Sequence, residues 1–285
     1  MINIFLALFF SSSLYIVFKS FEKLRINTFQ AIVFNYIVAF FMGLLLNPIS
    51  FKAHSIYEKP WFTFCLILGF LFIAVFYIIG KTTQINGLTI ASVASKMSMI
   101  IPSVFGILYF KEKSNSTLIL GIAIALLAVY FVSKKENEEV NLSSFKNPIL
   151  LFFGAGIIDT LINFTQRTRL EEIETSLFSA FTFLFAFVFG FLFFAYKLFK
   201  KEIKFELRNV AGGVLLGIPN FFSLYYLTKA LRTENLESPT IFTILNIGVI
   251  LLSTFTGLLF FKEKLSKQNF LGILLALTAL FLVTL

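Results

Sequence analysis

Residues 105–132 read FGILYFKEKSNSTLILGIAIALLAVYFV, and residues 256–283 repeat them without a gap as TGLLFFKEKLSKQNFLGILLALTALFLV. Thirteen of the 28 pairs are identical. Shared Leu, Ile and Ala follow from composition, so the weight falls on Gly106/Gly257, Gly121/Gly272 and the Phe-Lys-Glu-Lys runs at 110–113 and 261–264. The match continues upstream with small insertions: residues 40–43 pair with 187–190, Gly69 with Gly217, Lys81 with Lys229, and LFF at Leu8 with LFF at Leu151. An offset that drifts from 143 to 151 marks a duplicated module. Residues 1–133 are then a first five-helix repeat, 134–147 a charged linker and 148–285 a second five-helix repeat.

Composition fixes the solvent. The chain is 58% hydrophobic and only 14% charged, where a soluble domain carries roughly 25% charged residues. Its mean hydropathy is +0.89. It is read as an all-α integral membrane protein, and bilayer is its first partner. The 41 Phe reflect a biased residue pool, since Phe partitions into lipid as well as Leu, and they say nothing about a solute. A net charge of +9 would suggest nucleic acid in a soluble chain. Here the basic residues punctuate apolar runs and read as topology signals, so no nucleic-acid partner is expected. The single cysteine, Cys65, lies in an apolar run and the single histidine, His54, in a loop, which excludes disulfide scaffolds, zinc clusters and His-based triads. No cofactor or metal is expected, and no Gly-x-x-x-x-Gly-Lys-Ser/Thr offers an ATP site.

A bilayer demands about 20 apolar residues per helix. Runs of that kind fall at 2–18, 29–46, 61–80, 88–110 and 117–132 in the first copy, and at 149–164, 176–196, 210–227, 238–261 and 268–285 in the second. Ten transmembrane helices result. Five is odd, so the second copy starts on the opposite side of the membrane and the repeats are inverted, the usual architecture of secondary transporters working by alternating access.

Each half closes with a Gly-x-Leu-x-Phe-Lys-Glu-Lys turn and then a span carrying Gly-Ile-x-x-Ala-Leu. This plan resembles the EamA branch of the drug/metabolite transporter superfamily over nearly the whole chain. Phe-Lys stands before Glu112 and Glu263 where that branch commonly has Leu-Gly. The resemblance implies a cavity lined by spans one, three, four, six, eight and nine, a small-molecule solute such as an amino acid, sugar or drug, and a bacterial inner (plasma) membrane.

Charge inside hydrocarbon costs about 3 kcal/mol per residue, so each instance needs a reason. Only Lys96 and Asp159 lie deep in spans. Lys96 shares a face of the fourth span with Ser92, Met99 and Ser103, and Asp159 in the sixth is followed by Asn163 and Gln166 on one stripe. Their repeat equivalents are Ile247 and Ile16, so the scaffold is duplicated but the charges are not. They either serve an asymmetric solute or its coupling, or neutralise one another. Further polar candidates are Asn220 beside Pro219, Tyr225 and Tyr226 in the eighth span, Asn246 in the ninth and residues 11–13 in the first. Asn246 corresponds to Ser95. Pro102 and Pro219 free carbonyls within spans. The serines of the first span fit close helix packing, Lys81 and Lys229 fit snorkelling, and the Lys-Glu-Lys turns read as solvated reversals.

A secondary transporter of a small polar metabolite follows, with an amino acid or related zwitterion favoured because a buried cation and a buried anion would complement one. Coupling to a proton or to counter-exchange is expected. The alternatives are a multidrug or sugar exporter of the same fold, a membrane-embedded enzyme, which lacks its clustered carboxylates and histidines here, or a non-transporting scaffold. Loops 1-2, 3-4, 5-6, 7-8 and 9-10 hold 15 Lys and Arg against 8 in the others. Charge therefore places the termini outside, and the resemblance implies inside.

Overall fold

Every regular element among the described residues is helical, and most helices outrun the apolar segments that announce them. The structure, a computed structural model, describes residues 2–46, 56–111, 115–134, 142–230 and 238–283. His54, Glu112, residues 135–141 of the linker and the loop 231–237 lie outside them. The first copy supplies α1 (Ile2–Lys23), α2 (Thr28–Leu45), α3 (Phe62–Ile85), α4 (Leu88–Met97), α5 (Ile100–Tyr109) and α6 (Ser116–Ser133). The second supplies α7 (Leu142–Thr168), α8 (Thr175–Phe199), α9 (Leu207–Ala230), α10 (Ser238–Phe260) and α11 (Lys267–Val283). Among the described residues nine segments are long and apolar enough to cross a bilayer, with α4 and α5 counted as one, and the shorter α11 makes ten.

Local chemistry sets the helix starts. Asn27 accepts the Gln30 N–H at 3.1 Å and Asn115 the Leu118 N–H at 2.8 Å, each closing a first turn. Ser266 and Asn269 cap each other reciprocally at the start of α11. Asn269 then donates to the carbonyls of Val132 (2.7 Å) and Lys134 (3.0 Å), answering the last turn of α6 from the first turn of its neighbour. Lys111 and Lys262, equivalent in the two copies, both adopt left-handed backbone (φ 57° and 53°), so the same reversal is built twice. The second reversal departs from a solvated turn at its acid: Glu263 is half-buried against the first turn of α4.

The described structure divides into two compact units, one of residues 1–19, 78–157 and 222–285 and the other of 20–77 and 158–221. Each draws on both copies. In the first unit α6 packs on α11 and α4 on α10; in the second α2 packs on α8. Every one of these pairs joins a span to its own repeat mate.

Glycines show how mates meet. A Cβ on Gly121 would stand 2.7 Å from the Val283 side chain and 3.2 Å from the Ala279 carbonyl, while one on Gly272 would strike Val132 and the Ala128 carbonyl. Val132 and Ala128 are the equivalents of Val283 and Ala279, so the contact is isologous, as across a two-fold axis. The start of each helix touches the end of the other, which makes α6 and α11 antiparallel. The second unit repeats the pattern: Gly43 meets Ala180 and Gly190 meets Val33, while Gly69 meets Phe185 and Gly217 meets Val38. The two five-helix repeats are thus inverted. Small residues at these crossings let the backbones approach, which is how helices associate where lipid removes the hydrophobic drive.

The aromatic surplus serves this scaffold. In the second unit Tyr36 stacks on Phe183 with centroids 6.0 Å apart, Phe72 meets the same ring edge-on, and the Tyr36 hydroxyl donates to the Phe72 carbonyl at 2.9 Å. One corner of that unit keeps its geometry and changes its chemistry. Carrying the offsets back, Asn27 matches Glu174 and Trp61 matches Asn209; the Asn27 N–H donates to Asn209 Oδ1 (2.8 Å), and the Trp61 indole donates to Glu174 Oε2 (2.8 Å). Lys59 adds an ion pair to Glu174 at 2.6 Å.

Candidate functional site

In the first unit the fourth span is interrupted. α4 ends at Met97 and α5 begins at Ile100, with Ser98 and Met99 in a turn between them. Pro102 has no N–H to offer the Ser98 carbonyl, and its ring crowds that oxygen. A tighter turn takes over, in which the Ile101 N–H donates to Ser98 O at 2.9 Å. Beyond the break the Met99 carbonyl keeps its helical partner, the Ser103 N–H at 3.3 Å, and also accepts the Ser103 hydroxyl at 2.9 Å. In the mate, α10, position 102 becomes Ser253, whose hydroxyl donates to the Val249 carbonyl, the equivalent of Ser98. There the helix runs unbroken.

Lys96 occupies the last turn of α4, half-buried, two residues before the break. A cation there is favoured by the negative end of the half-helix. Asn246 of α10 is only 8% exposed, and its side-chain amide donates to Met99 Sδ at 3.1 Å. Thioether sulfur is a weak acceptor, a partner that a polar ligand would improve upon. Ser92 is fully buried and spends its hydroxyl on the Thr89 carbonyl at 2.9 Å, inside its own helix. Ser12 in α1 is likewise fully buried. Tyr225 is half-buried near the end of α9 with the Lys229 ammonium 4.4 Å above its ring. It closes a stack in which Phe10 lies on Phe222 (5.2 Å) and on Tyr226 (5.7 Å), joining the eighth span to the first.

In the second unit Asn220, 5% exposed, donates to Asn35 Oδ1 at 3.0 Å. That bond joins α9 to α2, while the Asn35 amide itself donates to the Ile32 carbonyl at 3.2 Å, and α9 continues through Pro219 as one helix. Asp159, Asn163 and Gln166 follow one another along α7; Asp159 and Gln166 are exposed and Asn163 half-buried. The structure thus brings Asn246 to the break and pairs Asn220 with Asn35. The sequence reading did not single out Asn35 as a partner, although an amide inside an apolar span is a visible signal. Met99 was placed on the Lys96 face by spacing, but an apolar side chain gave no sign that Asn246 would reach it.

The EamA-like transporter family model matches residues 146–285, which is the second copy of the duplication. An uncharacterised Haemophilus influenzae protein is 31% identical over 98% of this chain and 96% of its own length. The chain belongs to the EamA-like transporter family. Its family is one of transporters rather than enzymes, and this member is an integral membrane protein whose partners are a small-molecule solute and the bilayer. A Bacillus cereus relative of this EamA-like chain, named "Putative sugar uptake protein", is 25% identical over 82% of this chain and 83% of its own. A solved crystal structure, 14% identical, matches 99% of this chain and 94% of that one at a TM-score of 0.63, which bears on the fold alone.

Proposed function

We propose that this transporter carries a small zwitterion, an amino acid or related metabolite, by alternating access. The observation that carries the reading is Asp159, an exposed acid in the middle of a membrane-spanning helix. Its placement toward lipid would cost about 3 kcal/mol, so it is kept for an aqueous route and for a solute amine or proton. Lys96 supplies the opposite charge, beside a broken span, a feature that recurs at transporter binding sites. Neither has an equivalent in the other copy, as suits a cargo whose two ends differ. The test is uptake of radiolabelled alanine into proteoliposomes by the purified full chain. Lys96→Gln and Asp159→Asn are each expected to lower uptake about 10- to 100-fold, the worth of one hydrogen bond to a charge. Recovery in the double variant would instead make the two residues mere neutralising partners.

A second reading is a sugar as cargo, favoured by the Bacillus cereus relative's name and by the stacked Phe10, Phe222 and Tyr226, whose flat faces suit the apolar face of a sugar ring. Glucose uptake without alanine uptake, lost on Tyr226→Ala and kept in Asp159→Asn, would decide for it. For orientation we place both termini outside on the excess of loop cations. Activity of a cytoplasm-dependent reporter fused after Leu285 would reverse that placement.

A further inference from the structure

Glu263 lies in the turn between α10 and α11, and its carboxylate closes the N-terminus of α4. Oε1 accepts the Leu88 N–H at 2.6 Å; Oε2 accepts the Thr89 hydroxyl at 3.1 Å and the Thr89 N–H at 3.4 Å. Helix starts need such acceptors for their first N–H groups, and the residue at the cap position, Gly87, has no side chain to provide one. Two glycines make room for the acid. A Cβ on Gly87 would stand 3.0 Å from Oε1, and one on Gly257 would stand 2.5 Å from Oε2 and 3.2 Å from Thr89 Oγ1. Gly87 also holds φ +106°, a conformation that other residues resist. The Glu263 N–H donates to the Gly257 carbonyl at 2.9 Å and shapes the turn around the acid. Gly257, prominent in the duplication, thus has a stated duty: it is the floor of a carboxylate notch.

α4 is ten residues long, too short to hold its own geometry. Its C-terminal end is released by the break before Pro102, so the cap from Glu263 governs its other end. We propose that Glu263 is a positioning residue for transport: it fixes the half-helix that carries Lys96 to α10 and the turn after it, leaving the break at Ser98 and Met99 as the place where the fourth span bends. A hinge moves a segment usefully only when one side of it is anchored. This rests on the transport reading above, and its test is built to be separable from it.

The full chain in lipid nanodiscs is compared with Glu263→Ala and Glu263→Gln by hydrogen exchange. In Glu263→Ala the amides of Leu88 and Thr89 are expected to exchange about tenfold faster while α11 is unchanged, and the Gln variant, which keeps one acceptor oxygen, is expected to recover most of the protection. In a Cys65→Ala background, the maleimide reactivity of Ser95→Cys should change in step with exchange. With alanine and, separately, glucose as transport probes, Glu263→Ala should lower the maximal rate about tenfold with KM little changed, and Gln should restore it. Unchanged exchange at Leu88 and Thr89 overturns the proposal, as does a rise shared equally by α11, which would make Glu263 a general stabiliser. If the unsubstituted chain moves neither probe, the solute readings fail, and the exchange and cysteine arms still decide what Glu263 holds.

Discussion

The α6–α11 pair and the α4–α10 pair come from the same duplicated module, yet they treat symmetry differently. In the first, each contact is returned: Gly121 presses on Ala279 and Val283, and Gly272 presses on Ala128 and Val132. In the second, one partner is broken at Ser98 and Met99 and the other is continuous, one carries Lys96 and the other Ile247, and Asn246 reaches a sulfur rather than a matching amide. Symmetric contacts hold two antiparallel halves together, and each crossing is built once from each side. Departures from symmetry are tolerated only where something other than assembly is gained. Pro102 against Ser253 is the simplest such departure, because it decides at one position whether the same carbonyl keeps its helical partner.

The largest effect is expected at the symmetric crossing. Gly121→Leu and Gly272→Leu force a side chain into a backbone and should each cost about 3 kcal/mol, alike to within about 0.5 kcal/mol, in denaturant unfolding of the protein in micelles. Clearly unequal losses would break the isologous contact. Next comes the asymmetric pair. Ser253→Pro should destabilise by about 3 kcal/mol, since α10 is a ladder without a break, whereas Pro102→Ala should cost nothing measurable because its neighbourhood has already given up that bond. Equal costs would mean that the two spans are alike after all.

The smallest effect is a pH step at one corner of the second unit. Burial works to raise the Glu174 carboxyl, but hydrogen bonds from Lys59 and Trp61 and the Lys59 charge outweigh it and hold the group below its ordinary value. A depressed acid contributes stability that is complete above the unfolded value, about 4.3, and is lost as pH falls through the folded one. Trp61 is the single tryptophan, so its emission reports the change directly. The emission should hold steady down to the ordinary carboxyl range, shift only as pH falls below about 4.3, and stay flat in Glu174→Gln. The equivalent corner, Asn27 with Asn209, is neutral and should add no step.

Much of the fold was legible because duplication is visible in glycines and turns even where apolar spans look alike. Which spans touch was not legible: helices apolar all round carry no stripe to name a neighbour, so the matched pairs Gly43/Gly190 and Gly69/Gly217 could be aligned without revealing that each meets the other's surroundings. Lys96 and Asp159 stood out because charge inside hydrocarbon is costly. Glu263 did not, since a lysine-flanked acid in a turn looks solvated until a helix start 175 residues away in sequence is brought to it. Pro102 and Pro219 read alike, and only one of them interrupts its helix.

Uptake by Pro102→Ala tests most directly whether the broken fourth span, rather than the symmetric scaffold, performs transport. The variant restores an N–H to the Ser98 carbonyl and lets α4 and α5 fuse. Measured in proteoliposomes beside the unsubstituted chain, with alanine and glucose as probes, the maximal rate is predicted to fall about tenfold while unfolding stability is kept or raised. Unchanged uptake by a variant in which hydrogen exchange shows the break to be closed would contradict the account.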